Sequence, residues 1–163
     1  MIQFNYMPAK SKWNFKNNYE LDNITENAGK DLLIQWNIKF QKFSGSKTKI
    51  KFCPKREDKP DLIVTLNKKS ALLDLKGIYT KNFLLKEKTV KSYEFWQKEN
   101  NTPVIICFFN FDSMDFLIDR RFAILNFHKY KPVSRKRSIE LKTVKFEKPL
   151  PLFCKENLLK YVF

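Results

Sequence analysis

From Pro103 to Phe109 the chain reads Pro-Val-Ile-Ile-Cys-Phe-Phe, with no hydrogen-bonding or charged side chain apart from the Cys107 thiol. A half-exposed strand would alternate apolar with polar residues, and a membrane-spanning helix would need about 20 apolar residues, so the run is neither. It reads as a strand covered on both faces. Strands of that kind belong to sheets with helices packed on either side, which places the chain in the α/β class.

The segments before this strand support that class. Leu84–Asn100 lacks Gly and Pro and carries Val90, Tyr93 and Trp96, a pattern that predicts a helix ended by Asn100-Asn101-Thr102-Pro103. A helix leading into a buried strand implies a parallel crossover. Upstream, Asp61–Leu66 and Ala71–Lys76 are apolar runs joined by the polar residues Asn67, Lys68, Lys69 and Ser70, which predicts an antiparallel hairpin. Lys47–Phe52 alternates like a half-buried strand. Ile24, Ala28, Leu32, Trp36 and Phe40 recur every four residues, with Asn23 or Thr25 as the N-cap, predicting a helix over Thr25–Phe40. Downstream, Asp115–Ile118, Arg121–Leu125 and an edge strand at Ile139–Phe146 are expected. The result is a mixed central β-sheet flanked by helices, in the order α-β-β-β-α-β. The 163 residues suit one domain, with a core at about 25–110 and a basic C-terminal extension at 111–163.

Lys and Arg outnumber Asp and Glu by 32 to 17, a net charge of +15 that calls for a polyanionic partner. Nucleic acid is the first candidate. A membrane is not expected as a partner, since no apolar stretch approaches spanning length, and Met1–Trp13 lacks the apolar centre of a secretory signal. Cys53, Cys107 and Cys154 form neither a disulfide framework nor a CxxC site, and are expected to be thiols of an intracellular protein. His128 is the only histidine, which excludes a His-rich zinc site.

The predicted hairpin brings particular charges together. Alternation along a strand puts Asp74 and Lys76 on one face and Leu73 and Leu75 on the other. If the hairpin closes around Asn67–Ser70, Asp61 at the start of the first strand lies beside Asp74 near the end of the second. Two neighbouring carboxylates repel unless a proton or cation intervenes, and Mg²⁺ is the natural oxygen-seeking cation.

Pro60-Asp61, twelve residues, then Asp74-Leu75-Lys76, set between a helix and a buried strand, resembles the PD-(D/E)XK nuclease superfamily over about Thr25–Asn110. The resemblance implies a restriction-endonuclease-like core. It implies Asp61 and Asp74 as metal ligands, the Leu75 carbonyl as another, and Lys76 as the group that orients water and neutralises charge. It also implies a carboxylate from the first helix, for which Glu26 is the choice and Glu20 and Asp31 the reserves. The second helix offers Lys88, Lys91, Tyr93 and Gln97. The cofactor implied is Mg²⁺, with Mn²⁺ as a substitute, and the small size looks similar to Holliday-junction resolvases, which act as dimers.

The cluster Arg120, Arg121, Lys129, Lys131, Arg135, Lys136 and Arg137 carries enough charge to follow a phosphate backbone, with Tyr130 as a stacking platform. The functional expectation is a metal-dependent DNA endonuclease. The sequence also admits a non-enzymatic, structural RNA-binding protein, which has no need of an acidic cluster.

Overall fold

The computed structural model describes residues 12–44, 58–133 and 142–163. Its elements are α1 (Lys12–Gln35), β1 (Lys39–Lys42), β2 (Leu62–Leu66), β3 (Lys69–Ile78), β4 (Leu84–Lys86), α2 (Glu87–Asn100), β5 (Val104–Phe111), β6 (Leu117–Ile124), β7 (Tyr130–Val133), β8 (Thr143–Phe146) and α3 (Lys155–Tyr161). The central sheet has the order β1-β2-β3-β5-β6, and β4-β8-β7 form a second, smaller sheet. The described residues thus form a mixed α/β fold with a central mixed sheet flanked by three helices.

All eight residues of β5 are buried, as the apolar run demands. The strand pairs parallel with β3 and antiparallel with β6, and α2 makes the crossover from β3. Its alternate side chains feed two cores. Ile105, Cys107 and Phe109 join Leu21, Leu33, Leu73, Leu75 and Phe153 beneath α1, whereas Val104, Ile106 and Phe108 join Val90, Tyr93, Trp96 and Phe146 beneath α2.

Several boundaries differ from the sequence reading. α1 begins at Lys12 rather than Thr25. Thr25 is fully buried inside the helix and satisfies its hydroxyl by donating to the Leu21 carbonyl at 2.7 Å, so it caps nothing. The helix stops before Phe40 because Asn37 turns left-handed at φ 56°, and Ile38 N–H closes back on the Leu33 carbonyl at 2.9 Å. Phe40 then lies on β1, opposite Val64. The strand expected at Lys47–Phe52 lies outside the described residues. The hairpin turn uses only Asn67 and Lys68, both at positive φ (52° and 65°), which matches the twist of the strands and leaves Lys69 and Ser70 on β3. Leu84–Lys86 is a short strand ahead of α2, and the strands expected at Asp115–Ile118 and Arg121–Leu125 form one strand, β6.

α1 sits tightly on β3. A Cβ on Gly77 would collide with the Thr25 hydroxyl and stand 2.7 Å from Leu21 Cγ, while one on Gly29 would stand 2.6 Å from Leu75 Cδ1. Gly77→Ala is therefore expected to push α1 off the sheet and cost about 1–3 kcal/mol, read as a lower urea midpoint. An unchanged midpoint would contradict this packing.

Candidate active site

β2 leaves β3 early. Their ladder ends at Leu62 opposite Leu73, but β3 continues to Ile78, held on its other edge by β5. From Asp74 onward one edge of β3 is free of β2, and the chain at Pro60–Asp61 forms the other wall of a notch. Backbone groups at such an edge need partners. The Asp61 Oδ2 accepts the Leu75 N–H at 2.8 Å, and the Asp61 N–H donates to the Leu73 carbonyl at 2.9 Å. Because N–H and C=O of one residue in extended chain point the same way, the Leu75 carbonyl opens on the same notch.

Asp74 is only 2% exposed. The Lys76 Nζ lies 3.3 Å from its Oδ2, within ion-pair distance but off the line of a good hydrogen bond, and Oδ2 has no hydrogen-bond partner among the described residues. Asp74 holds the Lys76 ammonium above its ordinary range against the opposing effect of burial, with Asp61 and Asp58 adding to the rise. Burial raises the Asp61 carboxyl to about 7, and the Asp74 charge adds to it, while the Leu75 N–H and Lys76 pull the other way. The two carboxylates thus feel each other, and one of them is half-protonated near neutral pH.

α2 closes the notch from one side. Tyr93 is fully buried, and burial followed by the Asp74 charge pushes its phenol far up; its hydroxyl lacks a partner in good hydrogen-bond geometry among the described residues. Thr89 donates its hydroxyl to Asp58. The other α2 candidates do different work: Lys88 is exposed, Lys91 pairs with Glu87 at 3.5 Å, and Gln97 Oε1 accepts the Val104 N–H at 3.0 Å to pin the start of β5.

α1 contributes a carboxylate that sequence reasoning missed. Asp22 is exposed on α1, yet partial desolvation raises its carboxyl, the Lys76 ammonium opposes the rise, and Asp74 and Glu26 add to it, so it lies within the electrostatic reach of the notch. Its position four residues before Glu26 was the available signal, hidden by a helix start placed too late. Glu26 also acts on Asp61 through space, but it is tied to Lys30 at 2.8 Å. Asp31 is exposed, and neither it nor Glu20 figures among the charges acting on Asp61, Asp22 or Lys76.

No group of three or more His, Cys, Asp or Glu side chains able to hold a metal occurs among the described residues. Mg²⁺ does not need one, since one or two carboxylates suffice when waters and substrate phosphates complete its shell. The donors present fit such an ion. They are all hard oxygens, and Asp74 Oδ2 is buried without a hydrogen bond among the described residues.

The predicted nucleic-acid cluster is divided rather than continuous. Adjacent residues of β6 face opposite ways. Arg120 stacks over Trp36 at 5.7 Å beneath α1, whereas Arg121 points to the α2 side, pairs with Asp119 at 3.1 Å and donates to the Leu150 carbonyl at 3.1 Å. Lys129 and Lys131 are exposed near β7, and Arg135, Lys136 and Arg137 lie outside the described residues. Tyr130 is not an open stacking platform, since it packs edge-on against Phe146 at 5.5 Å. The His128 Nδ1 accepts the Ile124 N–H at 2.8 Å, a structural role.

No protein-family model matches the sequence, and no curated protein sequence matches it. Among solved structures, the chain is similar to Hjc, a Holliday junction resolvase from Archaeoglobus fulgidus. The TM-score is 0.46 and the identity 11%, over 74% of this chain and 87% of that one. A likeness of that degree transfers no residue roles, which rest on the geometry above.

Proposed function

We propose that this protein is a divalent-cation-dependent nuclease that hydrolyses phosphodiester bonds in DNA, with branched junctions as its favoured substrates. The observation that carries the reading is Asp74: a carboxylate 2% exposed, whose Oδ2 is ion-paired with Lys76 at 3.3 Å but has no hydrogen bond among the described residues, within the field of Asp61. An ion pair on an exposed sheet face, worth about 0–1 kcal/mol, does not describe a buried group of this kind. Burying a charge without full hydrogen bonding is costly, and such costs concentrate at functional sites.

When bound, Mg²⁺ or Mn²⁺ supplies positive charge to phosphoryl oxygens and makes a water more acidic. Asp61 and Asp74 would hold it, with the Leu75 carbonyl and Asp22 or Glu26 as further oxygens. Lys76, kept protonated by Asp74, orients a water by hydrogen bonding and offsets the negative charge growing on the phosphate. The surplus of +15 draws the polyanion to the surface. A homodimer that cuts two strands symmetrically belongs to the same proposal.

Lys76→Ala separates these roles. It is expected to bind duplex DNA about as tightly as the unmodified protein while cutting about 10²–10³ times more slowly under single-turnover conditions. Undiminished cleavage would remove Lys76 from the chemistry. A protein that bound RNA tightly and cut no substrate would instead be a structural RNA-binding protein.

A further inference from the structure

A cavity with a mostly apolar wall and several charged or polar side chains around it opens on the α2 side of the central sheet, beyond the notch. It measures about 240 Å³ and is lined by Lys81, Phe83, Asn110, Asp119, Arg121, Lys148, Pro149 and Leu150, with Lys81, Asn110, Arg121 and Lys148 its polar donors. Three cationic side chains and one carboxylate line it, and the carboxylate is already engaged. Asp119 accepts both from the Arg121 Nε, at 3.1 and 3.2 Å, and from the Arg120 N–H at 2.9 Å. Arg121 Nη1 also donates to the Leu150 carbonyl, so the guanidinium is locked in place while its Nη2 has no partner among the described residues. Lys148 is steered over the Phe83 ring at 5.8 Å, and Lys81 is exposed.

Asn110 adds an independent sign of a ligand. It is 4% exposed, lines the cavity, and its Oδ1 has no hydrogen-bond partner among the described residues. Three cations suit a phosphate, and an unpartnered carboxamide oxygen suits a donor on the sugar or base attached to it. The strand register fixes the distance to the notch. Lys76 pairs with Phe108 and Phe108 with Arg121, so the three share one face, about 10 Å from first to last at normal strand spacing. That span corresponds to roughly three nucleotides of rise along a duplex strand.

We infer that this cavity is a phosphate-binding subsite, in which Lys81, Arg121 and Lys148 hold a backbone phosphate of the nucleic acid a few nucleotides from the Asp61–Asp74 notch and Asn110 reads the attached nucleotide. The inference rests on the proposed nuclease reading for the identity of the polymer. Phe108, between Lys76 and Arg121 on that face, is buried under Phe83 and Phe146, so a strand held there would pass around this aromatic cover, and the cavity would set which phosphate reaches the notch.

The test is duplex binding by fluorescence anisotropy across a salt series, without divalent cation, for the unmodified protein, Lys81→Ala/Lys148→Ala and the charge-matched control Lys69→Ala/Lys160→Ala. All four lysines are exposed, so folding is not at stake. The cavity variant is expected to lower the log–log salt slope by about one, the signature of one lost phosphate contact, with the control near the unmodified value. Equal slopes for the two double variants would overturn the assignment. In a second arm, the Asn110 side-chain amide is followed by NMR while a nucleoside 5′-monophosphate or its nucleoside is added. Shifts at millimolar monophosphate that vanish with duplex present are expected. Micromolar binding that duplex does not displace would assign the cavity to a free nucleotide and refute the backbone reading. Neither arm requires cleavage, so failure of the nuclease reading would appear separately, as intact salt slopes without turnover.

Discussion

Asp74→Asn is expected to lower Mg²⁺-dependent DNA cleavage by about three orders of magnitude or more, a loss of at least about 4 kcal/mol of transition-state stabilisation. The substitution keeps volume and shape in a position that is 2% exposed, so the packing beneath α2 should survive. It removes the negative charge on which both cation affinity and the Lys76 ion pair depend. DNA affinity should be unchanged or stronger, because a carboxylate facing phosphate has been neutralised. Affinity and turnover lost together would point to a folding defect, and cleavage at the normal rate would remove Asp74 from the site.

Asp61 yields the second large effect, in stability and without divalent cation. Its carboxyl sits at about 7 in the folded protein against an ordinary 3.8. The folded state therefore holds the proton to higher pH than the unfolded chain. Below about pH 4 Asp61 is protonated in both states and costs nothing; from pH 4 to 7 the unfolded chain ionises first and stability falls; above 7 the loss is complete. Asp61→Asn should be free of that loss. Its Oδ1 can still accept the Leu75 N–H, so the variant should match the unmodified protein near pH 4 and exceed it at pH 8 by a few kcal/mol, about 5–10 °C in Tm. Equal melting temperatures at pH 8 would mean that Asp61 is not a strained carboxylate. Cation binding should restore part of the difference, since it stabilises the ionised pair that Asn cannot form.

The elements that carry the site were legible where periodicity and burial act together. The apolar run at β5, the hairpin of β2 and β3, and the alternation of Asp74 and Lys76 against Leu73 and Leu75 follow from side-chain period alone. Local signals failed where a residue had two uses. Thr25 has the chemistry of an N-cap but bonds its hydroxyl within the helix, and that misreading hid Asp22. Phe40 continues the helical spacing, yet Asn37 turns the chain first and hands Phe40 to β1. The phosphate cavity could not be read from sequence at all. Lys81, Asn110, Arg121 and Lys148 lie on a loop, two strands and a turn and meet only in the folded sheet. Likewise, the basic segment looks continuous in sequence, but strand alternation sends Arg120 and Arg121 to opposite faces.

The activity proposed for the notch of Asp61, Asp74 and Lys76 is hydrolysis of phosphodiester bonds with the help of a divalent cation. It is tested most directly by incubating the unmodified protein and Asp74→Asn with linear, nicked, flapped and four-way-junction DNA and with RNA, in Mg²⁺, Mn²⁺ or EDTA. Cleavage of branched DNA by the unmodified protein in either cation, absent with EDTA and absent in Asp74→Asn, is the predicted result. No cleavage of any substrate, or equal cleavage by Asp74→Asn, would contradict it.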